Sequence, residues 1–152
     1  MLPKWHILIG FIFSYLLVYF LNFSLLAGVI VFVSSWFLID LDHYFLYIFM
    51  KRDFNFSRFY DESRSTHKKW LSLSKEEKEK YKRRIYAFHG IECFTIIILL
   101  SLFYKIFSWI IIGFLIHIIP DWIELCIIRE SFYQKFCTMI TILKNRKKQV
   151  FC

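Results

Sequence analysis

Four apolar runs, at about 5–21, 24–50, 85–107 and 108–128, dominate this 152-residue chain. Each approaches the ~20 residues that carry an α-helix across ~30 Å of hydrocarbon. The expected architecture is therefore all-α: an integral membrane four-helix bundle, folded as a single domain over 1–152. Only Asn22 and Phe23 separate the first two runs, which read as a helical hairpin. A hydrophobic content of 58% is too high for an ordinary soluble domain of this size. Nineteen Phe against four Gly and two Pro exclude collagen-like and linker-rich chains. No internal repeat or low-complexity tract stands out.

The formal charge is +8, but the basic residues avoid the apolar runs. Twelve of the twenty Lys and Arg lie in 51–84 and six in the tail 129–152, while the short connections hold only Lys105. Cytoplasmic loops carry such an excess, so both termini and the basic loop are expected on the cytoplasmic side. Membrane lipids with anionic headgroups are the expected partner, and nucleic acid is not. Within the loop, Ser74 followed by Lys75, Glu76 and Glu77 has the pattern of a helix N-cap, predicting a short basic helix over 75–84. Cys93, Cys126, Cys137 and Cys152 lack paired C-x-x-C spacing and read as small packing residues. The first run lacks a small-x-small cleavage site and is expected to be retained as a helix.

Six ionisable side chains interrupt the apolar runs as three helix-spaced pairs: Asp40 with His43, His89 with Glu92, and His117 with Asp121. Three- and four-residue spacings put each pair on one helix face. Charged groups at helix centres are penalised by ~2.5–3.5 kcal/mol each, so a set of them requires pairing, protonation or a ligand. Counting ~1.5 Å per residue from the cytoplasmic ends places His43, Glu92 and Asp121 roughly 10 Å deep. Asp40 and His117 lie one turn deeper and His89 one turn shallower, and His6 reaches the rim of the same layer. Carboxylates and neutral imidazoles suit Zn²⁺ or a similar divalent ion. Pro120 is expected to free a backbone carbonyl and kink the fourth run beside this layer. The same residue types also build proton or ion pathways.

These motifs resemble the YdjM-type inner-membrane metal-dependent hydrolases, which look distantly related to zinc-dependent phospholipases C and P1-type nucleases. An N-terminal His is matched by Trp5-His6-Ile7-Leu8 and Gly10, and an Asp-x-Asp-His element by Asp40-Leu41-Asp42-His43. A Gly-x-x-x-His-x-x-x-Asp helix is matched by Gly113, His117 and Asp121. The family's His-Arg-Gly-x-Thr-His-Ser is represented only by its second His, at His89, with Glu92 one turn on in place of a missing ligand. Ile39 stands where the family has Pro.

The resemblance implies a hydrolase of an ester or phosphoester of a lipid-like substrate at the cytoplasmic leaflet. Asp40, His43, His89, His117 and Asp121 are then the expected ligands of a divalent metal, zinc above others, with His6 at the rim. Asp42 or Glu92 is the expected general base or orienter, Arg83 and Arg84 are the expected phosphate contacts, and Glu124 either extends the site or faces the headgroups. Two rivals stand beside it. A transport or proton-relay module would need polar residues continuing into the outer halves of the runs, which are almost uninterrupted apolar. A non-catalytic scaffold whose metal staples the helices is the other.

Overall fold

The computed structural model describes residues 3–128, 130–131, 136–146 and 148. The chain is all-helical, with no strand among the described residues. Its elements are α1 (Pro3–Phe20), α2 (Leu25–Val33), a π-helical turn (Ser34–Leu38), α3 (Leu41–Lys51), α4 (Phe56–Ser72), α5 (Lys75–Lys80), α6 (Ile91–Ser101), α7 (Lys105–Ile127) and α8 (Thr138–Asn145). The hairpin between α1 and α2 turns at Asn22, whose φ of 53° suits the left-handed conformation that Asn tolerates. Ser24 then caps α2, its hydroxyl accepting from the Ala27 N–H at 3.2 Å.

α7 is the central element, packed against α1, α2, the π turn and α6. Ile39, Ile97, Phe114 and Ile118 form the buried core between these helices, with Phe88 and Phe94 against it. The outer faces are apolar too: Phe20, Leu25 and Phe103 are 65%, 75% and 79% exposed. Apolar surface on that scale marks a membrane- or protein-facing exterior. Two helical stretches, Leu25–Lys51 and Lys105–Ile127, are long and apolar enough to cross a membrane.

The run at 85–107 is not one helix, contrary to the sequence-based expectation. α6 has 11 residues, about 16 Å of helix and half of a ~30 Å hydrocarbon layer. Residues 82–86 are non-helical and 87–89 form a turn, which lets the Phe88 N–H donate to Asp42 Oδ2 at 2.9 Å and brings His89 inward. The helix expected over 75–84 stops at Lys80 for the same reason. Its start is as expected, with Ser74 and Glu77 forming a reciprocal capping box. α7 continues through Pro120 as a single helix.

The regions outside the runs fold back on the bundle. Glu130, 4% exposed in its side chain, accepts from Trp70 Nε1 at 2.6 Å and pairs with Lys78 at 3.3 Å and with Arg83. One carboxylate thus ties the end of α7 to α4, α5 and the segment leading to α6. Asn145 of α8 bonds both backbone groups of Arg83, at 2.9 and 2.7 Å.

Candidate metal centre

Two glycines set the approach of the helices. A Cβ on Gly113 would lie 2.6 Å from both the Val31 carbonyl oxygen and Ser34 Cβ, and one on Gly10 would lie 2.1 Å from Ser35 Oγ. α1 and α7 therefore close on the π turn from two sides, through small residues that permit near backbone contact. Each glycine stands one helical turn from a histidine, His6 or His117. The close approach is what delivers both rings to the same interior point.

The wider π turn aims a carbonyl into that interior, as such insertions do at many functional sites. The Ser35 carbonyl accepts from His117 Nδ1 at 2.8 Å. Because a carbonyl only accepts, the proton of a neutral His117 sits on Nδ1, and its Nε2 lone pair faces inward. On the far side, the chain leaves the helix at Ile39 and Asp40 and restarts as α3. That break carries Asp40, Asp42 and His43 to the cluster. Asp42 Oδ2 lies 3.4 Å from His89 Nδ1 and holds that proton in turn, so the His89 lone pair also points inward.

Around this point the acceptors crowd. His89 Nε2 and His117 Nε2 are 3.4 Å apart. Asp121 Oδ2 is 3.3 Å from His117 Nε2 and 3.6 Å from His89 Nε2. Asp40 Oδ1 is 3.6 Å from His117 Nε2, 3.8 Å from His89 Nε2 and 3.6 Å from His43 Nε2. His6 stacks on His117 with centroids 3.9 Å apart, its Nε2 being 3.5 Å from Asp121 Oδ1. The two shortest, 3.3 and 3.4 Å at His117 Nε2, are close to the roughly 3.3–3.4 Å donor edges of a tetrahedral ion with bonds of about 2.0–2.1 Å. His6, His117 and Asp121 form one group with metal-ligand spacing, and Asp40, His43 and His89 form another.

The structure thus brings together His6, Asp40, Asp42, His43, His89, His117 and Asp121, from α1, α3 with its N-cap, α7 and the turn before α6. His6 is 3% exposed and Asp121 1%, so it lies inside the cluster rather than at its rim. His43 and Asp40 form the accessible side, 27% and 29% exposed in their side chains. Tyr86 stacks on His43 there, centroids 3.9 Å apart.

Glu92 is not brought in. Its carboxylate accepts from the Thr138 and Met139 N–H groups at 3.2 and 3.1 Å and from the Cys137 thiol at 3.3 Å. It caps α8, an element unexpected from sequence, and the expected roles of base or substitute ligand do not fit that position. Arg83 is not free for a phosphate either. Its guanidinium pairs with Glu130 and lies 4.4 Å from the Trp70 ring centroid. Arg84 is exposed and lines a small cavity with His43, Lys51 and Tyr86. Glu124 lies 3.8 Å from His67 of α4, outside the cluster.

Sequence reasoning missed the Ser35 carbonyl and the Phe88 N–H, both main-chain groups. The Ser34-Ser35 pair within an apolar run was the available signal, since two small polar residues there permit close backbone approach.

Fold and site together define an all-helical protein with two membrane-length helices and buried His/Asp groups able to hold a metal ion. No family model, curated protein or solved structure matches the chain.

Proposed function

We propose that this chain is a multi-pass membrane protein with cytoplasmic termini whose cluster binds divalent metal, zinc foremost, and hydrolyses an ester or phosphoester of a lipid-like substrate at the cytoplasmic leaflet. Four membrane-inserted helical segments, one of them only half the membrane deep, complete this picture. The observation that carries it is the pair of buried Nε2 atoms of His89 and His117, 3.4 Å apart between two carboxylates. Acceptors so placed repel one another unless a proton or a metal cation lies among them, and only a multivalent cation satisfies both rings and both carboxylates at once.

A divalent ion at this position supplies Lewis acidity and a bound water ionisable near neutral pH. The chain's own groups do the rest. Ser35 and Asp42 fix the tautomers of His117 and His89, and their buried neighbours exclude bulk water. Asp42 Oδ1 is buried without a hydrogen-bond partner, so it is available to take a proton from an attacking water. Exposed Arg84, beside His43, is the remaining candidate for a substrate phosphate.

The accessible edge at Asp40 and His43 favours a catalytic over a stapling metal, because catalytic sites keep an open coordination position while structural ones are closed. The YdjM-type resemblance points the same way. Metal analysis of protein purified in detergent without added metal tests the first half of the proposal, with stoichiometric divalent metal expected and its loss in His117→Ala. Hydrolysis of short-chain phospholipids and generic phosphoesters tests the second. Stoichiometric metal without turnover on any of them, and with stability that collapses on chelation, would favour the scaffold.

A further inference from the structure

A groove of about 620 Å³ runs along the outer side of α3. α3 contributes Asp42, Phe45, Phe49 and Arg52, a stripe at helical spacing, and Ile85 and Phe88 line the opposite wall. The volume falls in the ~300–1,000 Å³ range of small-molecule sites. Ten residues of helix separate its ends, about 15 Å. At the inner end Asp42 is the residue that holds His89. At the outer end stands a cation, and between them the walls are aromatic and aliphatic, Phe45 and Phe49 being 56% and 76% exposed.

Arg52 has two notable features. Its backbone is left-handed, φ 56° and ψ 30°, where its N–H closes α3 on the Ile48 carbonyl at 2.8 Å. Gly or Asn usually fills such a position, and the chain does use Asn at its other left-handed residue, Asn22. Its guanidinium also forms no ion pair among the described residues and folds back over the Phe49 ring, 6.0 Å from the centroid. A guanidinium without an acidic partner among the described residues, at the end of an apolar groove, leaves its charge open to an anion.

We infer that the groove seats one anionic phospholipid, with its phosphate on Arg52 and one acyl chain between α3 and residues 85–88. The order of chemistry along the groove matches that of a lipid. A polar loop containing Asp53 and Asn55 adjoins Arg52, and the apolar walls run inward from it. A soluble anion would use the guanidinium and none of the walls. The proposal rests on the membrane reading above but not on hydrolysis, and it puts a lipid of the inner leaflet directly beside the metal cluster.

The test uses the full chain in mild non-ionic detergent. Phosphatidylglycerol or phosphatidylcholine with identical chains is added, and retained lipid is counted by native mass spectrometry. The wild type should retain phosphatidylglycerol roughly fivefold more, the effect of one basic residue near an anionic headgroup. Arg52→Asn suits the left-handed backbone and should bring that ratio near one without lowering thermal stability. Ala87→Trp, which fills the groove, should reduce retention of both lipids. Metal content measured on the same samples should stay at the wild-type level in both variants, separating the groove from the cluster. Equal retention of the two lipids by the wild type, a wild-type ratio in Arg52→Asn, or undiminished binding in Ala87→Trp would each overturn the groove assignment. A chain that stays monodisperse without detergent would overturn the membrane reading, and this proposal with it.

Discussion

The imidazoles of His89 and His117 face each other because their other nitrogens are committed, to Asp42 and to the Ser35 carbonyl. A shared proton would relieve one nitrogen pair, but Asp40 and Asp121 also converge there, and a multivalent cation satisfies all four groups at once. Asp42→Asn should therefore weaken metal binding by about 10–100-fold, the usual effect of losing a carboxylate behind a ligating histidine. Competition with a chromogenic chelator measures this. Glu92 is the useful contrast, since it bonds α8 rather than the cluster. Glu92→Ala should cost about 1 kcal/mol through the lost cap, lowering the melting temperature while leaving metal content unchanged. Metal loss in Glu92→Ala would return that residue to the site. From sequence the two carboxylates were equivalent candidates, because helical spacing places a residue on a face without saying what else reaches that face. Only the return of α8, from a tail that read as merely basic, distinguishes them.

At the level of elements, the π turn between α2 and α3 decides the site. Its small residues Ser34 and Ser35 let α1 and α7 come close, and the nearest approach to main-chain atoms is at Gly113. Gly113→Ala puts a methyl against the backbone of α2, where no flexible side chain can yield. It should cost about 1–3 kcal/mol and lengthen the His117 to Ser35 contact, so both melting temperature and metal affinity should fall. A variant with normal melting and full metal would show that the helices have slack there. The length and apolarity of the runs made α1, α2 and α7 legible, and the helix-spaced pairs made most of the cluster legible. The half-length α6 was not, because composition records how apolar a run is and not where its backbone bonds go. At Phe88 that bond goes to the Asp42 carboxylate instead of to a helix carbonyl. The loop was similarly opaque. Seventeen residues of α4 carry no buried side chain of their own, and a main tie on the loop is Glu130, a residue from beyond α7. Removing it by Glu130→Ala strands Lys78 and Arg83, 11% and 9% exposed in their side chains. A loss of about 3–5 kcal/mol is expected from breaking such a buried network. Thermal unfolding in detergent reads it, and a loss under 1 kcal/mol, on the order of an exposed ion pair, would show that the network is solvated.

For the whole molecule, charge and the cluster's position constrain orientation together. The cluster lies at the end of α7 nearer α4, α5 and α8, and the link from Glu124 to His67 joins that end of α7 to α4. Those three helices belong to 51–84 and to the tail, the two segments that hold eighteen of the chain's twenty Lys and Arg, taken as 12 + 6. If the positive-inside tendency governs insertion, the cytoplasmic face and the metal face are one and the same, and any substrate must come from the inner leaflet or the cytosol. The proposed lipid groove opens toward the same end, since Arg52 leads directly into the polar loop before α4. Ser65 is exposed on α4 and suits a reporter. With the native cysteines replaced, Ser65→Cys should resist a membrane-impermeant maleimide in intact cells and react once the membrane is opened. A second reporter at Asn22, in the hairpin between α1 and α2, should show the opposite pattern because it lies at the other end of the bundle. Labelling of Ser65→Cys from outside, with protection of Asn22→Cys, would invert the protein. The cluster and groove would then serve the outer leaflet, and the basic segments would need a counter-charge other than the anionic lipids of the cytoplasmic face.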